Sequence, residues 1–129
     1  MRLVALFLDL KGSFDLKIID LYETDVDGIY VDENGNAYST RRDIIYKMKK
    51  QKQTKGYEYI HVWEDGKQKC VLIQRLMGNA HLGLDLKSKL QMNHINKQRD
   101  CNILSNLEVV TNKQNARHRN GHEDYKDVE

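Results

Sequence analysis

His94 is preceded directly by Asn93 and followed, twelve residues on, by Asn106-Leu107 and, twenty-one residues on, by Asn115. An imidazole can take a proton from water near neutrality, because its unperturbed pKa is about 6.5. Oxygen ligands can hold a hard divalent cation. Hydrolysis of a phosphodiester asks for these parts: a base for the attacking water, and a Lewis acid for the charge growing on the phosphate and the leaving oxygen. A loop that merely makes Asx turns would explain one asparagine. It explains an Asn-His pair with two further asparagines at these intervals badly.

Such residues act together only if the chain folds them together. Gln91-Met92-Asn93-His94-Ile95 reads as a strand, residues 96–105 as a polar loop, and Leu107-Glu108-Val109-Val110-Thr111 as a second strand. Thr111-Asn112 is a helix N-cap signal, and a helix from Asn112 to about Arg119 would carry Asn115 and His118 on one face. Neighbours on a strand point to opposite faces, so Asn93 and His94 converge only if the strand bends or bulges. Upstream, apolar positions at helical spacing (Ile73, Leu76, Met77, Ala80) predict a short supporting helix over residues 73–82.

The first 72 residues read as β-rich. Asn34-Gly35 marks a hairpin turn between Ile29-Tyr30-Val31 and Ala37-Tyr38-Ser39. A second hairpin turns at Glu64-Asp65-Gly66-Lys67, and its aromatic stripe, Tyr57, Tyr59, His61 and Trp63, is expected to face the core in preference to a nucleic-acid base. Two short runs around Lys11-Gly12-Ser13 suggest a further hairpin, while residues 40–55 fit a helical turn or a twisted edge strand equally. Residues 120–129 form an acidic tail expected to fray.

At 129 residues the chain makes one domain with its own core. Net charge is +2, but by segment it runs −5 (residues 1–40), +6 (41–75), +4 (76–119) and −3 (120–129), a basic middle suited to a phosphate backbone. Cys70 and Cys101 lack the spacing of a zinc site or a disulfide framework, and a reducing cytoplasm is expected. The apolar start, Leu3 to Leu8, is too short for a membrane span.

The run Asn93-His94-Ile95-Asn96, Asn102, Asn106-Leu107-Glu108-Val109-Val110-Thr111 and Asn115-Ala116-Arg117-His118 resembles the HNH endonucleases encoded by phages and mobile introns. The likeness covers roughly residues 22–119. It implies an α+β fold in which a β-hairpin-rich N-terminal part precedes a ββα-metal unit. The implied layout is one nuclease domain over residues 1–119: a DNA-binding lead-in (1–72), a supporting helix and linker (73–90) and the catalytic unit (91–119). By the same resemblance, His94 is the general base, Asn106 pins the loop, and Asn93 and Asn115 are metal ligands. Some zinc-binding relatives place a ligand where His118 stands; a phosphate contact or a plain surface histidine stays open there.

Two departures stand out. Asn93 is neutral where many relatives carry aspartate, and Gln74-Arg75 replaces a common His-Arg. The resemblance implies one divalent ion, Mg²⁺ ahead of Mn²⁺ and Zn²⁺ last, and double-stranded DNA as partner, with no membrane and a monomer or homodimer. Arg41, Arg42, Lys47, Lys49, Lys50, Lys52 and Lys55 are expected to hold the duplex, with phosphate contacts from Arg75, Arg99 and Arg117. The alternative is an inactive DNA-binding module of the same fold.

Overall fold

The computed structural model describes residues 2–8 and 16–128, with side chains described from residue 18 onward. The expected turn at Lys11-Gly12-Ser13 lies outside the described residues. A five-stranded antiparallel meander contains β1 (Arg2–Leu8), β2 (Leu16–Glu23), β3 (Ile29–Val31), β4 (Ala37–Ser39) and β5 (Tyr46–Lys47) in chain order. A three-stranded sheet follows, β6 (Gln51–Lys52), β7 (Glu58–Glu64) and β8 (Lys67–Leu72). Helix α1 (Ile73–Leu82) leads to the two-stranded ladder of β9 (Gln91–His94) and β10 (Leu107–Val110), and α2 (Asn112–Arg119) closes the unit. The undecided stretch 40–55 is thus two very short strands, β5 and β6, joined by a basic turn.

Helix α1 is the hub. Ile73, Leu76 and Met77 are wholly buried and meet Ile29, Val31 and Ala37 from the first sheet, Ile60 and Val62 from β7, and Met92 and Leu107 from the last ladder. Burying each such side chain stabilises the fold by about 1.5–3 kcal/mol before entropy is counted. Gly78 lets β9 come close: a Cβ there would lie 2.4 Å from Met92 Sδ. Polar contacts fasten the helix to the first sheet as well, with His81 Nε2 3.0 Å from the carbonyl of Asp32 and Asn79 bonded to Asp25 through both backbone and side chain.

The expectation for the aromatic stripe is overturned. Ile60 and Val62 face the core, while Trp63 is 61% exposed and Tyr57, Tyr59 and His61 are only half-buried. In this hairpin either alternating set could have turned inward. The set with Ile60 and Val62 at its centre did, since Tyr, His and Trp carry polar atoms that need partners when buried.

The hairpin between β3 and β4 reaches the candidate site. Asp32 Oδ1 accepts the backbone N–H groups of Asn34 and Asn36, both at 2.9 Å, fixing a turn whose Gly35 has φ +84°. That glycine lies against the backbone of Asn102, where a Cβ would come within 2.7 Å of its carbonyl oxygen. The N–H of Leu104 donates to the carbonyl of Glu33 at 2.9 Å. The loop between β9 and β10 is therefore seated on the lead-in sheet.

Candidate active site

The β9/β10 ladder is regular, with Asn93 opposite Glu108 and His94 opposite Leu107, and it contains no bulge. His94 ends its strand and the chain turns at once, with the N–H of Lys97 donating to the His94 carbonyl at 2.9 Å. Lys97 adopts φ +65°, unusual for a residue with a side chain. Both Asn93 and His94 are 5% exposed. They line one cleft of about 250 Å³ together with Asn115, His118, Tyr57, Met92, Lys97, Arg99 and Arg119. Four of the five expected catalytic and metal residues thus share one opening.

The fifth, Asn106, lies behind the cleft in the loop. Its Oδ1 accepts the N–H of Asn96 at 2.9 Å, and its Nδ2 donates to the carbonyl of Cys101 at 2.8 Å and to Asn96 Oδ1 at 2.9 Å. One amide therefore spans the loop at two points. The 3-10 turn Leu104–Asn106 presents it there.

The protonation pattern of His94 follows from its neighbours. Asn102, buried at the end of this loop, donates from Nδ2 to Glu58 Oε1 at 3.0 Å. An ionised carboxylate only accepts, so the amide oxygen of Asn102 is the atom 2.8 Å from His94 Nε2. Nε2 must carry the proton, which leaves Nδ1 as the basic nitrogen. Glu58 is held in turn by Lys50, at 3.4 Å. Burial keeps the imidazole below its ordinary range, against opposing pulls from Asn102 and Asp100, so the ring is neutral near pH 7.

The two candidate ligand amides are oriented in the same way. Asn93 Nδ2 donates to buried Glu108 Oε1 at 2.8 Å, and Asn115 Nδ2 donates to Gln91 Oε1 at 2.6 Å. Each keeps its carbonyl oxygen as the unused acceptor. Two such oxygens on one cleft fit a hard divalent cation by type, although among the described residues no three His, Cys, Asp or Glu side chains cluster as a ligand set. The carboxylate of Glu108 thus stands directly behind the Asn93 amide. Burial opposes ionisation of Glu108, but Lys126, Tyr125 and Asn93 together hold its carboxyl below the usual range.

Tyr125 and Lys126 belong to the tail expected to fray, so the structure differs from that expectation. Residues 122–128 lie along α2: Asp124 pairs with Arg117 at 2.9 Å, the rings of Tyr125 and His118 are 4.4 Å apart, and Gln114 Nε2 donates to the carbonyls of Lys126 and Val128. Helix α2 has no buried residue of its own. Its N-terminus is held by a capping box, Thr111 Oγ1 accepting from the Gln114 N–H at 3.1 Å and Gln114 Oε1 from that of Thr111 at 2.9 Å.

The expected DNA-binding residues divide. Arg42, Lys47, Lys49 and Lys55 are exposed, as are Arg41, bonded to the carbonyls of Asp27 and Trp63, and Lys52, paired with Asp100 at 2.8 Å; Arg99 enters the cleft with its guanidinium 5.0 Å above the Tyr57 ring and donates to the carbonyl of Lys55. Lys50 turns inward to Glu58 and the carbonyl of Gly35, and Arg75 to the carbonyls of Leu86, Ser88 and Leu90, which restricts the reach of both to a phosphate. Arg117 is engaged by Asp124. Sequence reasoning gave no site role to Asn102, Glu58, Glu108, Lys97 or Arg119, and assigned Tyr57 to the core. Asn102 and Glu108 stood inside the motif, but nothing local in the sequence tied Asn102 to Glu58, forty-four residues away.

This ββα arrangement on a β-rich lead-in is an HNH nuclease fold. Residues 71–117 match the family model described as HNH endonuclease. Among solved structures, one of the HNH homing endonuclease I-HmuI, concerned with DNA binding and cleavage, superposes with a TM-score of 0.64 at 24% identity. The match covers 78% of this chain and 59% of that one, so the chain spans about three fifths of that nuclease's length. Comparison with curated proteins finds no match. Among the described residues, no helix is long and apolar enough to cross a membrane.

Proposed function

We propose that the protein is a metal-dependent DNA endonuclease that hydrolyses phosphodiester bonds in double-stranded DNA. The observation that carries this reading is the tautomer imposed on His94: Nε2 is bonded to Asn102 at 2.8 Å, which leaves Nδ1 to accept a proton from water at a cleft lined by two carbonyl-bearing amides. A surface that only binds DNA has no need of a neutral imidazole fixed in one tautomer. His94 removes the proton from the attacking water; Arg99 and Lys97 bind the phosphate. Asn93 and Asn115 would hold one divalent ion, Mg²⁺ in the first place, and that ion supplies Lewis-acid stabilisation of the scissile phosphate and departing oxygen. Asn106 keeps the loop closed so that His94 and Asn102 stay in register.

The test is supercoiled plasmid incubated with protein and Mg²⁺ or Mn²⁺, with EDTA and His94→Ala as controls. Relaxation that needs the metal and falls about 10²- to 10⁴-fold in the variant is expected. Gel shift without any cleavage under these conditions would leave a DNA-binding module and sink the enzyme.

A further inference from the structure

A second surface begins where the cleft ends. Tyr57 lines the cleft, its ring 6.1 Å from that of His94, and Tyr59, His61 and Trp63 follow it at alternate positions along β7. Alternation puts these rings on one face of the sheet, over roughly 20 Å of strand. It is the face that the core does not use. The side chains paired with them across the ladders are Gln51 and Leu72 beside Tyr59, Cys70 beside His61, and Gln68 beside Trp63; none is a carboxylate. An arginine stands at each end: Arg99 lies 5.0 Å over the Tyr57 ring, and Arg41 donates from one terminal nitrogen to the Trp63 carbonyl at 2.6 Å. Glu64 and Asp65 sit in the hairpin turn beside Lys67, with Glu64 paired to Lys69 at 3.4 Å, and Asp100 beside Arg99 is paired to Lys52 at 2.8 Å.

We propose that this face stacks unpaired bases of a nucleic-acid strand whose other end lies in the cleft. Trp63 is exposed and Tyr57, Tyr59 and His61 are half-exposed, with the Tyr59 and His61 rings edge to face at 5.3 Å, so rings at strand spacing can meet successive nucleotides whose faces are available only where the strand is not paired. Arginines at both ends suit a phosphate chain running along the row, Arg99 held by the carbonyl of Lys55 and Arg41 by those of Asp27 and Trp63. The substrate class that follows is DNA with a single-stranded portion next to the cut, such as a nick, flap or opened duplex. The inference rests on the nucleic-acid reading above but not on cleavage.

Trp63 is the sole tryptophan in the chain, which makes it a built-in probe. With EDTA present to prevent cleavage, the whole protein is titrated with an oligothymidylate and with a blunt duplex of equal length, and Trp63 emission is followed. Strong quenching by the single strand is expected, with little by the duplex even where a gel shift shows it bound. Tyr59→Ala should weaken single-strand binding about tenfold with duplex binding and circular dichroism unchanged. Emission unmoved by saturating single strand, or quenched equally by both, would overturn the proposal, as would an emission shift that depends on protein concentration alone and so assigns the face to a second copy of the chain. Plasmid relaxation in Mg²⁺ is a separate readout, so a failure here leaves the nuclease reading standing.

Discussion

A histidine works as a base only when the nitrogen facing the water is the one without the proton, and Asn102 and Glu58 make that choice for His94. Partners in such outer positions are commonly worth 10- to 100-fold in activity. Asn102→Ala should therefore slow cleavage about 10- to 100-fold at saturating metal while leaving DNA affinity alone; an unchanged rate would remove Asn102 from the machinery. The pH dependence has a definite sign. Burial holds the imidazole below its ordinary value, so as pH falls through that lowered value the base becomes protonated and is lost. Cleavage should be flat around pH 7 and decline only below about 6.5; an acid limb centred above pH 7 would contradict the buried, neutral ring. The ligand amides add a third expectation. Two neutral oxygens compete poorly for a cation that gives up its waters reluctantly. Calorimetry should find weak Mg²⁺ binding to free protein and tighter binding once DNA supplies a phosphate oxygen, whereas tight binding without DNA would show that other ligands are present.

At the scale of elements, the site depends on two supports that lie outside its own ββα unit. Helix α2 is eight residues long with none buried, too short and too poorly anchored to persist by itself. The segment 122–128 supplies what packing does not, through Asp124 on Arg117, Tyr125 against His118 and the backbone carbonyls that accept from Gln114. Ending the chain after Asn120 should loosen Asn115 and release Glu108 from Asn93's far side, lowering the melting temperature and cutting cleavage at least tenfold; a truncated protein of full activity would make the tail a bystander. The other support is the β3/β4 turn. Gly35→Ala meets both a positive φ and the backbone of Asn102, so it should reduce cleavage with little loss of DNA binding. These supports also mark what the sequence could and could not disclose. β9, β10 and α2 were legible because their signals are local: apolar alternation, a Thr-Asn cap, and asparagines at fixed intervals. α1 was legible from its apolar spacing, with the bounds 73–82. The Glu58–Asn102 bond and the docking of Tyr125 on Glu108 join residues forty-four and seventeen apart with no periodic pattern to reveal them. A charged tail reads as solvated until its partner helix is known to lack a core face.

For the whole molecule, on the proposed nuclease reading, the charge pattern and the cleft at His94 set how it should meet a duplex. The exposed cations of residues 41–55 lie on the lead-in, Arg99 and Lys97 lie in the cleft, and the acidic tail is already paired in part with α2. Binding should therefore weaken steeply with salt, as counterions compete for the phosphates. If His94 is the base and Asn93 and Asn115 the ligands, as proposed, one such set serves one strand. On supercoiled plasmid, open circles should accumulate first, at a rate linear in protein concentration, and linear DNA should appear later from independent second cuts. A dimer that brings two clefts to opposite strands would behave otherwise: linear product would form without an open-circle intermediate, and the rate would rise with the square of protein concentration at low occupancy. Quantifying the three plasmid forms over a tenfold range of protein separates the two. Early linear product with a quadratic rate would overturn the single-cleft picture and require a second copy in the working complex.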